Sequence, residues 1–195
     1  KHAGLQFRLG KCRLALGEIA DARKAFETAR DYDCYPFRTD SFLNDAIRRV
    51  AERHAAQGVH FADAETCLNQ CDSNGISGNG LFYDNVHLLF PGNYAVAACL
   101  FGPVAAALRG AGYDFPKEES PLPSEECKER LGLCAREYHR HYQHALGHLK
   151  DQTGVAVFQS ALKDHDTGWL ENEVRLLLET ADKAPESVLS SLEKA

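Results

Sequence analysis

The chain has 195 residues, 44% hydrophobic and 26% charged, which places it among ordinary globular proteins and excludes a disordered one. Its formal charge of -6, with Lys and Arg interspersed among acids, excludes a nucleic-acid surface, because phosphate binding needs clustered cations. No charged-then-apolar leader and no uninterrupted apolar run long enough for a bilayer is read in it, so no membrane span is expected.

The pattern is already helical at Lys1, which reads as a fragment of a longer protein. Over residues 3–34, Leu9, Gly10, Gly17, Ile19, Ala22, Phe26 and Ala29 alternate small and large side chains as two antiparallel helices require. Gly10 and Ala22 permit close approach, Gly17 makes the turn and Phe26 fills the gap. The spacing and length resemble the tetratricopeptide repeat (TPR). One such repeat cannot bury its own faces, so the resemblance implies neighbouring elements and a groove for a peptide or protein partner. Cys34 stands where a helix-ending Pro is usual, and Pro36 follows it.

Pro36 makes the next few residues extended, and Asp40 or Ser41 caps an amphipathic helix that runs to about Gln57 and ends at Gly58. Residues 59–62 read as a short buried strand, and a Gly, Asn and Ser cluster over 71–80 reads as a long loop. Then Asp84 precedes His87 by three residues, and an apolar helix runs from Gly92 to about Arg109. A carboxylate so placed can accept a hydrogen bond from one imidazole nitrogen, leaving the other to take a proton from a hydroxyl nucleophile. The spacing alone would occur by chance roughly 0.6 times in such a chain. Its place on a strand-to-helix loop carries the reading.

Asp84, His87, Leu88 and Gly92 resemble the C-terminal block of the SGNH (GDSL-type) hydrolases, Asp-x-x-His-Leu with a Gly five residues after the His and then a helix. Leu89 stands where a small polar residue is commoner, and Asn93 where Tyr is, with Tyr94 next, as in a divergent branch. The resemblance implies ester hydrolysis or acyl transfer on an ester-containing substrate, with His87 as general base and then general acid and Asp84 as its orienter. It implies no metal and no organic cofactor. It also implies a serine nucleophile in a Gly-Asp-Ser-like turn and oxyanion-hole Gly and Asn residues. Ser41, Ser73 and Ser77 lack that setting, so the nucleophile is expected before Lys1 and the fragment alone is expected to be inactive. The competing class is a noncatalytic scaffold whose TPR grooves bind a peptide.

Residues 110–123, rich in proline and acids, read as a boundary before a helical tail. Ser124 caps a helix to about Leu149, followed by helices near 153–163, 168–183 and 186–195, the last two with the period of a further TPR-like pair. The expected organisation is a TPR-like pair over 1–34, the C-terminal part of an SGNH-like domain over 35–110 and a helical tail over 111–195. That is a mainly α chain with a small α/β portion, as in bacterial multidomain proteins that join such modules.

Other clusters have plainer readings. Arg38, Asp40 and Asn44 read as a helix cap with an ion pair rather than a cleft. His141, His144 and His148 share one helical face, and a solvated face is preferred to a metal site. The seven cysteines (Cys12, Cys34, Cys67, Cys71, Cys99, Cys127, Cys134) are odd in number and mostly in apolar helical surroundings, which favours free thiols and a reducing compartment such as the cytoplasm. Cys67 and Cys71, four residues apart, read as buried thiols rather than ligands.

Overall fold

The computed structural model describes residues 2–34, 36, 38–83, 86–115, 120–133, 137–140, 142, 143, 172, 175, 176 and 179. The chain is mainly helical, and it divides into two compact units, Lys1–Pro121 and Leu122–Ala195. The boundary falls in the proline-rich stretch.

In the first unit, α1 (Ala3–Ala15) and α2 (Ile19–Asp31) form a helical hairpin whose turn uses Gly17 at φ +78°, a conformation that favours glycine. Ala22, Ala25 and Ala29 are buried on α2, and Gly10 is the buried residue of α1. A Cβ at Gly10 would stand 2.7 Å from Phe26 Cε1, so the pair is close-packed around that ring. Phe7 completes the contact, its ring 5.5 Å from that of Phe26. Gly10→Ala gains about 1 kcal/mol of helix propensity, but overpacking against Phe26 costs about 1–3 kcal/mol. We expect a net loss in urea unfolding, reversed when Phe26→Leu is added, since the smaller side chain vacates the clash.

Asp40 accepts the Leu43 amide at 2.7 Å and so caps α3 (Ser41–His54). A 3-10 turn (Ala55–Gln57) and Gly58 at φ +88° end this helical run. The orientation of α3 is unusual. Asn44 and Arg48, on its polar side, bond to the element that follows, while Phe42, Leu43, Ile47 and Val50 are exposed, Phe42 to 71%. An apolar stripe left in water on one helix marks a surface made to be covered.

The expected strand over 59–62 is absent: these residues carry no regular structure and no ladder, and no strand occurs among the described residues. Apolar alternation proposes a strand, but only a neighbouring edge makes one. His60 and Phe61 make no main-chain hydrogen bond among the described residues. The small α/β portion is therefore not observed. Asp63 instead caps a short helix, α4 (Ala64–Gln70), by accepting the Thr66 amide at 3.1 Å.

The last helix of this unit, α5 (Phe90–Gly110), begins two residues earlier than expected because Pro91 suits its first turn. A disulfide joins Cys67 on α4 to Cys99 on α5. This corrects the reading of free thiols: the two cysteines lie 32 residues apart and meet only once α4 packs on α5, which spacing does not reveal. Cys71 is a thiol as expected, but exposed rather than buried, and Cys12, Cys34 and Cys127 are also free. Cys134 lies outside the described residues. The bond removes the argument for a reducing compartment. By length and composition α5, with mean hydropathy 1.3, could also cross a bilayer, against the expectation of no such run. Its Gly92, Ala95 and Ala105 are buried within the unit.

In the second unit, α6 (Ser124–Arg130) is far shorter than the helix expected to reach Leu149. Gly132 at φ +65° turns the chain, its amide bonding to Glu129 O at 3.0 Å and that of Leu133 to Lys128 O at 2.9 Å, which closes the helix end. Residues 137–140, 142 and 143 are helical again. The helices expected near 153–163 and 186–195, and most of that near 168–183, lie outside the described residues.

Candidate functional site

Three helices are first locked by charge. Arg30 of α2 and Arg48 of α3 both bond to Glu65 of α4, Arg48 at 2.7 Å, and Arg48 also holds Asp63 at 2.8 Å. Asn44 donates to the same Glu65 carboxylate at 3.0 Å, and Arg30 reaches the Ser41 hydroxyl at 2.7 Å. Asp40 is thus a cap and Asn44 a member of an ionic junction; Arg38 is exposed, with Arg30 and Asp33 as charged neighbours. Burial pushes the Glu65 carboxyl up, but its hydrogen bonds to Arg30 and Arg48 outweigh this and hold it below its ordinary value. Asp63 is lowered mainly by its bond to Arg48.

Lowered carboxylate pKa values stabilise the fold above the ordinary values of 4.5 and 3.8, and that contribution is lost as pH falls through the lower folded values. Acid unfolding monitored by circular dichroism should accordingly show a stability loss beginning below about pH 4.5 that Glu65→Gln reduces. Glu65→Ala should cost roughly 1–3 kcal/mol, because Arg30 and Arg48 lose the carboxylate they share, although Arg30 keeps Asp31 and Arg48 keeps Asp45 and Asp63. Glu125→Ala is the control: its pair with Lys128 is on the surface, the carboxylate side chain 78% exposed, and should cost less than about 0.5 kcal/mol.

The loop between α4 and α5 is held from several sides. Arg23 of α2 donates to Asn74 O at 3.1 Å, and Asn69 accepts the Ser77 amide at 3.1 Å. The end of the loop folds into a tight turn. Phe82 and Leu88 form an antiparallel bridge, Tyr83 N donates to His87 O at 3.1 Å, and Leu89 N donates to Leu81 O at 2.8 Å. Leu81 and Leu89 are buried and anchor the base of this turn. Gly92 seals it: a Cβ there would fall 2.6 Å from Leu81 O and 2.7 Å from Leu88 Cδ2. Asn93, which departs from the SGNH pattern, donates its side-chain amide to Leu88 O at 3.1 Å and ties α5 to the turn.

His87 is exposed near the tip, outside the apolar core, and its ring stacks on that of Tyr83 at 5.4 Å with an interplanar angle of 13°. Asp84 and Asn85 lie outside the described residues, as do His141, His144 and His148. Among the described residues no cluster of His, Cys, Asp and Glu is arranged to hold a metal. Sequence reading missed the Tyr83 stack, the α4 junction and the disulfide. Tyr83 stands four residues before His87, a spacing with meaning only once the hairpin-like turn is known.

Comparison of the chain with protein-family models, with curated proteins and with solved structures finds no match to any of them.

Proposed function

We propose that this chain supplies the Asp84 and His87 half of a Ser-His-Asp triad to an SGNH-like ester hydrolase or acyl transferase, with TPR-like helices ahead of it. The observation that carries the reading is the presentation of His87: exposed, on a tight turn that leads directly into α5, with Gly92 packed where a side chain would strike main chain. In this reading Asp84 orients the imidazole, and His87 removes the proton from a serine hydroxyl and later returns it to the leaving group.

Two further features support an α/β setting. The exposed apolar side of α3, and residues 60–61 without a main-chain hydrogen bond among the described residues, leave surfaces on which a sheet could pack and pair. The nucleophile comes from outside these 195 residues, since Ser41 Oγ is committed to Arg30 in the ionic junction and no Gly-Asp-Ser-like turn occurs in the chain. A fluorophosphonate serine probe should therefore label a polypeptide carrying both this chain and the nucleophile block, and leave the 195-residue chain unlabelled. Labelling of the chain itself, lost on His87→Ala, would place the nucleophile inside it, with Ser73 and Ser77 the first suspects.

The second reading, a noncatalytic scaffold, is favoured by α1 and its C-terminal end, where Leu5 and Leu16 are exposed as in a repeat that faces a missing neighbour or peptide. It prevails if neither polypeptide reacts with the probe.

A further inference from the structure

We infer that Tyr83 is a positioning residue for His87, holding the plane of the imidazole. The inference rests on the proposed role of His87 as general base. Its structural half stands independently on the stacked pair.

The turn makes this contact obligatory. The Tyr83 amide bonds to His87 O at 3.1 Å, so the two residues face each other across the turn. Below them, the Phe82 and Leu88 bridge and the buried Leu81 and Leu89 fix both Cα positions. The rings then lie nearly parallel, 5.4 Å between centroids. Imidazole nitrogens carry their protons and lone pairs in the ring plane, so a ring held parallel to the phenol face can direct them only along that face. A quarter-turn about the Cβ–Cγ bond gives up this face-to-face contact for an edge-to-face one, so the stack biases the ring toward the observed plane. A half-turn that exchanges the two edges is left for an orienting carboxylate to select.

The stack also acts on charge. A general base becomes a cation in the transition state, and an aromatic face within about 6 Å stabilises a cation by an amount that corresponds to about two- to fivefold in rate at an exposed site. The benefit belongs to the ring face rather than to the hydroxyl, so Phe should replace Tyr and an aliphatic residue should not.

The test compares Tyr83→Phe with Tyr83→Leu in the full 195-residue chain by heteronuclear NMR of the His87 ring. In the parent and in Tyr83→Phe, the His87 ring protons should be displaced upfield by the neighbouring ring current, and residual dipolar couplings of its ring C–H bonds should report one fixed ring plane. In Tyr83→Leu the ring protons should move toward free imidazole positions and the couplings should average as the ring plane becomes free, with the Leu81 and Leu89 methyl signals in place as evidence that the turn survives. Unmoved His87 ring signals in Tyr83→Leu would overturn the inference. In a polypeptide that also carries the nucleophile, Tyr83→Leu should lower kcat two- to fivefold with KM unchanged. Full kcat in Tyr83→Leu beside an inactive His87→Ala would refute the role of Tyr83 and leave the triad standing. Turnover that survives His87→Ala would refute the triad itself.

Discussion

Under the proposed triad, His87→Ala is expected to abolish ester cleavage by a polypeptide that joins this chain to a serine nucleophile, with kcat on p-nitrophenyl esters falling by a factor on the order of 10⁴ or more. The reason is that an alcohol at neutral pH is a poor nucleophile until a base takes its proton, and His87 is the imidazole that the turn presents to solvent. Asp84→Asn should fall almost as far, about 10⁴, because an amide in that place can donate to the imidazole and so favours the wrong tautomer. The double variant should be hardly worse than His87→Ala alone, since the two act as one unit. Multiplicative losses would mean that Asp84 and His87 work separately, and an active His87→Ala would end the triad reading.

What the sequence discloses and what it hides divides along the range of the interaction. Gly10, Ala22 and Phe26 announce the hairpin because helix-on-helix contact repeats with the helical period, and Asp40 and Gly58 announce the start and end of the α3 segment because capping is local. Residues 59–62 mislead because alternation records only an aptitude for pairing. Cys67 and Cys99 conceal their bond because it depends on α4 reaching α5. The inversion of α3 is hidden for a related reason: Asn44 and Arg48 have the look of a solvated face, and only Glu65, delivered by α4, turns that face inward. Gly132, a single residue in an otherwise helical run, halts α6 where periodicity alone continues it. At the candidate site, the order Asp84, His87, Gly92 is legible. The stacking of Tyr83 and the anchoring by Asn93 need the turn.

Gly92→Ala should be a strongly damaging small substitution in this unit, and Gly102→Ala close to neutral, although both glycines lie in α5. At Gly102 an added Cβ meets nothing within 4 Å beyond its chain neighbours, but Pro103 follows and disfavours a helical residue with a Cβ before it, which offsets the gain of about 0.5–1 kcal/mol from the loss of glycine's backbone freedom. At Gly92 the same Cβ lands 2.6 Å from the main-chain oxygen of Leu81, an atom that cannot swing aside as a side chain would. That oxygen accepts the Leu89 amide at 2.8 Å, so moving it breaks the bond that closes the His87 turn. Overpacking at about 1–3 kcal/mol and a lost, partly buried hydrogen bond at about 1–3 kcal/mol exceed any propensity gain, for a net loss of roughly 2–4 kcal/mol. Urea unfolding of the two variants measures the difference directly. Because His87 lies between Leu81 and Leu89 in the turn, Gly92→Ala should also disperse the His87 ring signals even below the unfolding transition. Equal stability of the two variants would show that α5 and Leu81 do not approach so closely, and the turn would then lose its means of holding His87 in place.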